Sequence, residues 1–242
     1  LNSQILEVPQ HIIPPVGGLL SGAELLAPVL MDAIHPDRAA AEDFVRETFA
    51  RSYGAELSSF YPLLLGIRAC TGEYAAVTGV RPAGGQPLFL EHYLDAPIDT
   101  ILGVERNRIV EIGNLSPAGA GQARWLICLI SSFLTGAGFF NVVFTAVPRL
   151  SNAFRRMRLP LVRLGEARAE SLPAGAADGW GSYYESGPAV FGGDLGLGFR
   201  AFGPVVETRP DLREIARQAY ALGRAFATPR DPADNEFDYP GA

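Results

Sequence analysis

From Trp125 to Val147 the chain runs for 23 residues without a charge. That is long enough to suggest a membrane span. Its interior argues otherwise, because Gly136-Ala137-Gly138 divides it into two pieces of different period. The spacing predicts a buried helix over Ala123 to Thr135 and a buried strand over Phe139 to Val147. No transmembrane segment is therefore expected.

This pair sits inside a longer alternation. Arg108 to Leu115 is the sharpest strand of the chain, and Gly119 to Gln122 is the glycine turn that joins it to the helix. Pro148 opens a further helix to about Arg158, at the position where proline fits. Leu161 to Leu164 is the next strand. Upstream, Asp37 caps a helix to Tyr53 whose stripe is Phe44, Val45, Thr48 and Phe49. Strands over Pro62–Cys70 and Glu73–Val80 flank a Thr71-Gly72 turn, and Leu88 to Tyr93 reads as extended. Ser21 and Glu24 have capping-box spacing, which predicts a short helix with Leu25, Leu26, Val29 and Leu30 on one face, kinked at Pro28. Residues 179–200 read as aromatic and glycine-rich strands and turns, and Asp211 to Ala227 as a final helix. The class is α+β, with an N-terminal extension over 1–36, a central domain over 37–200, and a C-terminal helix and mobile tail over 201–242.

Composition prunes the chemistry. All 20 basic side chains are arginine, so Schiff-base, pyridoxal-phosphate and Walker A chemistry are excluded for want of a lysine. Two cysteines and three histidines make a structural zinc cluster improbable, and no metal is expected. The cysteines read as free thiols in a reducing, cytoplasmic setting, with a Cys70–Cys128 disulfide as the alternative. A basic n-region followed by an apolar core is absent from Leu1 to Gly18, so no signal peptide is expected. A net charge of −6 argues against nucleic acid as a partner. Nothing fixes the oligomeric state.

The strand–turn–helix unit carries the candidate site. Free N–H groups at a helix N-terminus, approached through glycines, attract phosphate, and Arg124 adds a cation in the first turn. A Rossmann reading fails, because the third glycine and the acidic residue of the next strand are missing. Short-loop packing is the bland alternative. Glu111 and Gly113 share one face of their strand and Val110 and Ile112 the other, so Glu111 is a candidate general base or a solvent-facing residue. Arg149 to Arg168 holds six arginines against one acid, Glu166: a patch for a phosphorylated cofactor or an acidic carrier protein, or a solvated face. A triad built on His92 lacks a Gly-x-Ser-x-Gly elbow. Tyr183-Tyr184, beside Trp180, reads as core or pocket wall.

The order of elements over 108–164 resembles the cofactor half of the GNAT acyltransferase superfamily, where a loop and helix N-terminus cradle the pyrophosphate of coenzyme A. Ser116 stands where that superfamily usually has Arg or Gln, three positions before Gly119, and Phe154 aligns with the tyrosine that often protonates the leaving thiolate. Most of the chain also resembles the thermostable hemolysin family. The matching pieces are Tyr53-Gly54-Ala55, Gly79-Val80-Arg81, the run from Leu88 to Asp95, Val110 to Leu115, Val143 to Ala146, and Trp180 to Tyr184. A fainter similarity reaches the acyl-homoserine-lactone synthases, whose Glu-x-Ser-Arg strand motif looks like Glu111 to Asn114 here.

These resemblances imply a GNAT-like acyl-CoA N-acyltransferase fold, a central mixed twisted sheet flanked by helices. They imply transfer of a fatty acyl group from acyl-CoA or acyl carrier protein to a small-molecule amine. Glu111 and Asn114 would be catalytic. Leu115, Ser116, Gly119, Gly121, Gln122, Ala123, Arg124, Arg155 and Arg156 would bind the donor, and Arg81, Glu91 and Tyr183 would line the substrate pocket. The alternatives are a membrane-active protein of hemolysin type and a non-catalytic acyl-CoA or carrier-protein binding module.

Overall fold

The computed structural model describes residues 26–69, 71–119 and 122–227. Seven strands form one mixed sheet: β1 Leu26–Met31, β2 Leu63–Ala69, β3 Tyr74–Pro82, β4 Ile109–Pro117, β5 Asn141–Ala146, β6 Leu161–Glu166 and β7 Ala189–Asp194. Their order is β1-β2-β3-β4-β5-β7-β6. Only β4 and β5 are parallel, since α3 (Ala123–Gly136) supplies the crossover between them.

The uncharged run folds as its break at Gly136 to Gly138 requires. α3 buries Leu126, Ile127, Leu129, Ile130, Phe133 and Leu134 against one face of the sheet, and β5 follows. α6 (Pro210–Phe226) packs beside α3, pinned by Trp125 Nε1, which donates to Asp211 Oδ2 at 2.9 Å. α4 (Pro148–Arg156) and α5 (Leu195–Glu207) complete that layer with Phe154 and Phe202. The opposite face carries α1 (Arg38–Tyr53), with Val45 and Phe49 inward, and a segment over 88–104 that includes α2 (Ile98–Leu102). No helix among the described residues is long and apolar enough to cross a membrane.

Three expectations change. Leu26–Met31 is an edge strand, not the later part of a helix. Residues 21–25 of that expected helix lie outside the described residues. Pro28 is tolerated because an edge strand has only one ladder to satisfy. Phe89–Tyr93 is a 3-10 turn rather than extended chain. Its free N–H groups find acceptors in two carboxylates: Glu91 takes Leu88 N–H, and the distant Glu111 takes those of Phe89 and Leu90. From Leu195 the chain is helical, because the Asp194 carboxylate caps Leu197 N–H at 2.7 Å. Cys128 is a buried free thiol, and Cys70 lies outside the described residues.

Glu91 locks the 88–104 segment. It meets Arg106 through both oxygens at 2.7 Å and also accepts from Ile98 N–H. Burial pushes its carboxyl up, but Arg106 and the N–H groups of Ile98 and Leu88 outweigh that and hold it at about 2. A folded pKa below the unfolded one stabilises the fold above the unfolded value and is lost on acidification. Stability should therefore fall between about pH 4.5 and pH 2. Arg106→Ala should cost about 2 kcal/mol at neutral pH, because it strands a largely buried carboxylate, and should flatten that acid dependence. Urea unfolding at a series of pH values tests both.

Candidate active site

β4 holds the site together. Val110 and Ile112 point into the core under α3, while Glu111 and Gly113 face the other side, as their alternation requires. Opposite β3 the register jumps from Gly79–Gly113 to Val77–Ser116, so β4 carries one residue more than its partner. This is a bulge, and Asn114 adopts a left-handed φ of 49° within it. Parallel pairing with β5 ends at Ile112–Phe144. Beyond that point β4 and β5 separate, and three spaces meet at the gap.

The first space is an inner cavity of about 130 Å3. Its walls include Phe49, Tyr53, Tyr61, Phe89, Trp180 and Tyr183, with Arg81, Gly113 and Asn114 among the remainder. The rings brace one another: Tyr53 meets Tyr183 edge-on at 5.2 Å, and Phe89 stacks on Trp180 at 6.2 Å. The second is an outer groove of about 770 Å3, lined by Leu115, Gly119, Ala123, Arg51, Arg149 and Arg156 among others. Its size suits a nucleotide-sized ligand, whereas the inner cavity admits a small head group. The third is an apolar cavity between β4, α3, α4 and α5, lined by Ile112, Ile127, Ile130, Phe144, Phe154 and Leu195 among others.

Tyr61 is the hub of the inner cavity. Its ring lies on Gly113 and Gly79, where a Cβ would collide with it, at 2.7 Å in the case of Gly79. The Arg81 guanidinium stacks over the ring at 4.7 Å. The Tyr61 main-chain N–H donates to Asn114 Oδ1 at 3.4 Å, and its hydroxyl, over Gly113, lies on the same face of β4 as the Glu111 carboxylate. Burial pushes that hydroxyl well up, and the Glu111 charge adds to the effect.

Glu111 is 1% exposed and stands off the cavity wall. Its oxygens accept from Phe89 N–H and Leu90 N–H, both at 2.9 Å. Burial pushes its carboxyl up, opposed by those two N–H groups, by Arg81 across the β3–β4 ladder and by Tyr61.

The other expected residues divide. Asn114, Arg81 and Tyr183 line the inner cavity, and Leu115 lines all three spaces. Gly119, Ala123 and Arg156 line the groove. Glu91 does not reach the inner cavity; it is consumed by Arg106. Ser116 is buried on the α1 side opposite Val77, its Oγ without a partner. Gln122 folds back over Gly119, and Arg124 is exposed off the groove. Arg155 leans on Asn152, away from the groove. Gly121 lies outside the described residues. Within the arginine patch, Arg163 and Arg168 are taken by Glu166, whereas Arg149 and Arg156 have no carboxylate partner among the described residues. Arg51, at the end of α1, joins them. Sequence reasoning missed Arg51 and Tyr61. Glycines isolated within strands, at 79 and 113, were the available sign that another group comes close. No cluster of metal-ligating side chains occurs among the described residues.

Solved structures share this architecture at low identity. TofI, in a ternary complex with an inhibitor and MTA, is 15% identical with a TM-score of 0.53, over 77% of this chain and 99% of that one. The AHL synthase LasI is 12% identical with a TM-score of 0.51, over 74% of this chain and 95% of that one. FeeM, an N-acyl amino acid synthase from uncultured soil microbes, is 14% identical with a TM-score of 0.47, over 71% and 93%. The likeness is one of fold, which is GNAT-like and α+β. No curated protein matches the chain. The thermostable hemolysin model matches residues 31–199, well over half of the sequence, and the chain belongs to that family.

Proposed function

We propose that this protein is an acyltransferase that moves a fatty acyl group from a thioester of coenzyme A or of an acyl carrier protein to a small-molecule amine. One observation carries the reading: the arginine-lined groove, the aromatic cavity and the apolar cavity converge on Leu115, at the opening between β4 and β5. An acyl thioester has three parts with matching needs. Its anionic handle suits the groove of Arg51, Arg149 and Arg156. The first carbons of its acyl chain suit the apolar cavity, which measures about 60 Å3. Its carbonyl then sits at the junction, open to an amine from the aromatic cavity.

In this reading the main-chain N–H groups near Gly119, Gly121, Gln122 and Ala123 take the phosphates. Asn114 and the N–H groups of Leu115 and Ser116 orient or polarise the carbonyl. Glu111 is the final proton acceptor. The groove arginines serve a phosphate handle and an acidic carrier protein alike.

Purified protein given long-chain acyl-CoA and a panel of amines should release free thiol only when both substrates are present. Glu111→Gln should cut turnover by about 10²–10⁴; an unchanged rate removes it from the proton path. Stabilisation by coenzyme A without thiol release would instead identify a binding module. Release of dye from vesicles without any acyl donor would identify a membrane-active protein.

The groove has its own test. Arg149→Ala combined with Arg156→Ala should raise the donor KM about tenfold while leaving kcat nearly unchanged, since those side chains grip the handle equally before and during the reaction. An unchanged donor KM would free the groove from that role.

A further inference from the structure

Glu111 cannot meet a substrate directly. Both its oxygens are held by the 3-10 turn, the residue is 1% exposed, and it contributes nothing to the cavity wall. Tyr61 lies between. Its hydroxyl rests over Gly113, which does line the cavity, and Glu111 is the next residue on that face of β4, close enough for its charge to act on the hydroxyl. The ring fills the space above Gly79 and Gly113.

We propose that Tyr61 is the catalytic residue that takes the acceptor's proton, passing its own hydroxyl proton to Glu111. The inference rests on the acyl-transfer reading above. The amine nitrogen attacks the thioester carbonyl carbon and a C–N bond forms. The nitrogen's proton moves to Tyr61 Oη while the Tyr61 hydroxyl proton moves to the Glu111 carboxylate. The C–S bond then breaks with its electron pair on sulfur, and the thiolate takes a proton from water. Glu111 returns its proton to solvent when the products leave. The sum is an amide and a thiol, with enzyme unchanged.

The two proton movements are coupled for a physical reason. A free phenolate at Tyr61 would be desolvated beside a carboxylate, so the hydroxyl must gain one proton as it loses the other. Arg81 over the ring and Tyr183 nearby are the other titratable groups that act on it. Glu111 faces Arg81 from β3 and Tyr61 from the segment just before β2, and its charge is felt by Tyr93.

Tyr61→Phe keeps the ring on its glycines and removes only the relay. It should lower kcat by about 10²–10⁴, leaving the donor KM and the thermal midpoint near wild type. Combined with Glu111→Gln it should be no slower than the slower single variant, because the two act as one unit. In the wild type the acid limb of kcat/KM should lie above the usual carboxylate range, since burial raises Glu111. Replacing Tyr61 with 3-fluorotyrosine, which keeps the shape but has a more acidic hydroxyl, should alter kcat and shift the pH profile. Wild-type turnover in Tyr61→Phe, additive losses in the double variant, or an unmoved profile with 3-fluorotyrosine would each overturn the relay while leaving acyl transfer standing. Absence of thiol release from the wild type would remove the acyl-transfer reading, and the relay with it.

Discussion

Parallel pairing between β4 and β5 stops at Ile112 and Phe144, just before β4 inserts its extra residue against β3. A bulge raises the local twist and bends the strand that carries it. Here the bend takes β4 off its neighbour on one side while Thr78 Oγ1, donating to Gly113 O at 3.0 Å, keeps it on β3 on the other. The left-handed Asn114 costs about 1 kcal/mol. Its side chain accepts Tyr61 N–H, so the strained residue also orients the aromatic hub. The groove, the aromatic cavity and the apolar cavity all open at this separation, which is why Leu115 borders each of them. An uninterrupted sheet would keep β4 and β5 paired and the two faces apart.

The segment over 88–104 sets the electrostatics. It donates N–H groups to two carboxylates with opposite results. Glu91 has a two-oxygen contact with Arg106 and stays charged down to about pH 2. Glu111 receives two N–H bonds from the same segment, yet burial dominates and its carboxyl is pushed up. Its compensating cation, Arg81, acts across the ladder without a direct ion pair. The first carboxylate suits a structural lock. The second is shifted in the direction that the proposed role of a base asks for.

Much of this was legible locally. α1, α3, α4 and the strands β2 to β5 follow from periodicity, glycine breaks and proline position, because their apolar faces are continuous in sequence. Glu111 was legible as an oddity, a carboxylate inside an apolar strand. What stayed hidden depends on distant partners. Leu26–Met31 is extended because β2 offers it a ladder, and its Ser-x-x-Glu approach gives the opposite local signal. Phe89–Tyr93 turns because Glu111, some twenty positions later in the chain, satisfies its N–H groups. Tyr61 carries no motif; its place comes from glycines on two other strands. Arg51 reads as an ordinary cation at a helix C-terminus, and only the fold brings it beside Arg149 and Arg156.

Phe154 stands where the resemblance to the GNAT acyltransferases places a tyrosine. It packs edge-on against Phe144 at 5.3 Å and walls the apolar cavity. A phenol in its place would put a hydroxyl among Ile127, Ile130 and Leu159, where an unpaired polar group costs about 1–3 kcal/mol in a protein interior. A residue that lines an acyl-chain cavity and a residue that delivers a proton to sulfur have incompatible surroundings. With phenylalanine here, this side chain has no proton to give a leaving thiolate, and in the proposed reaction the proton comes from solvent at the arginine-lined groove. In the proposed relay, Tyr61 and Glu111 take protons away on the opposite side of the carbonyl. In that reading the two proton movements lie on either side of the β4–β5 gap, and the apolar cavity takes part in neither.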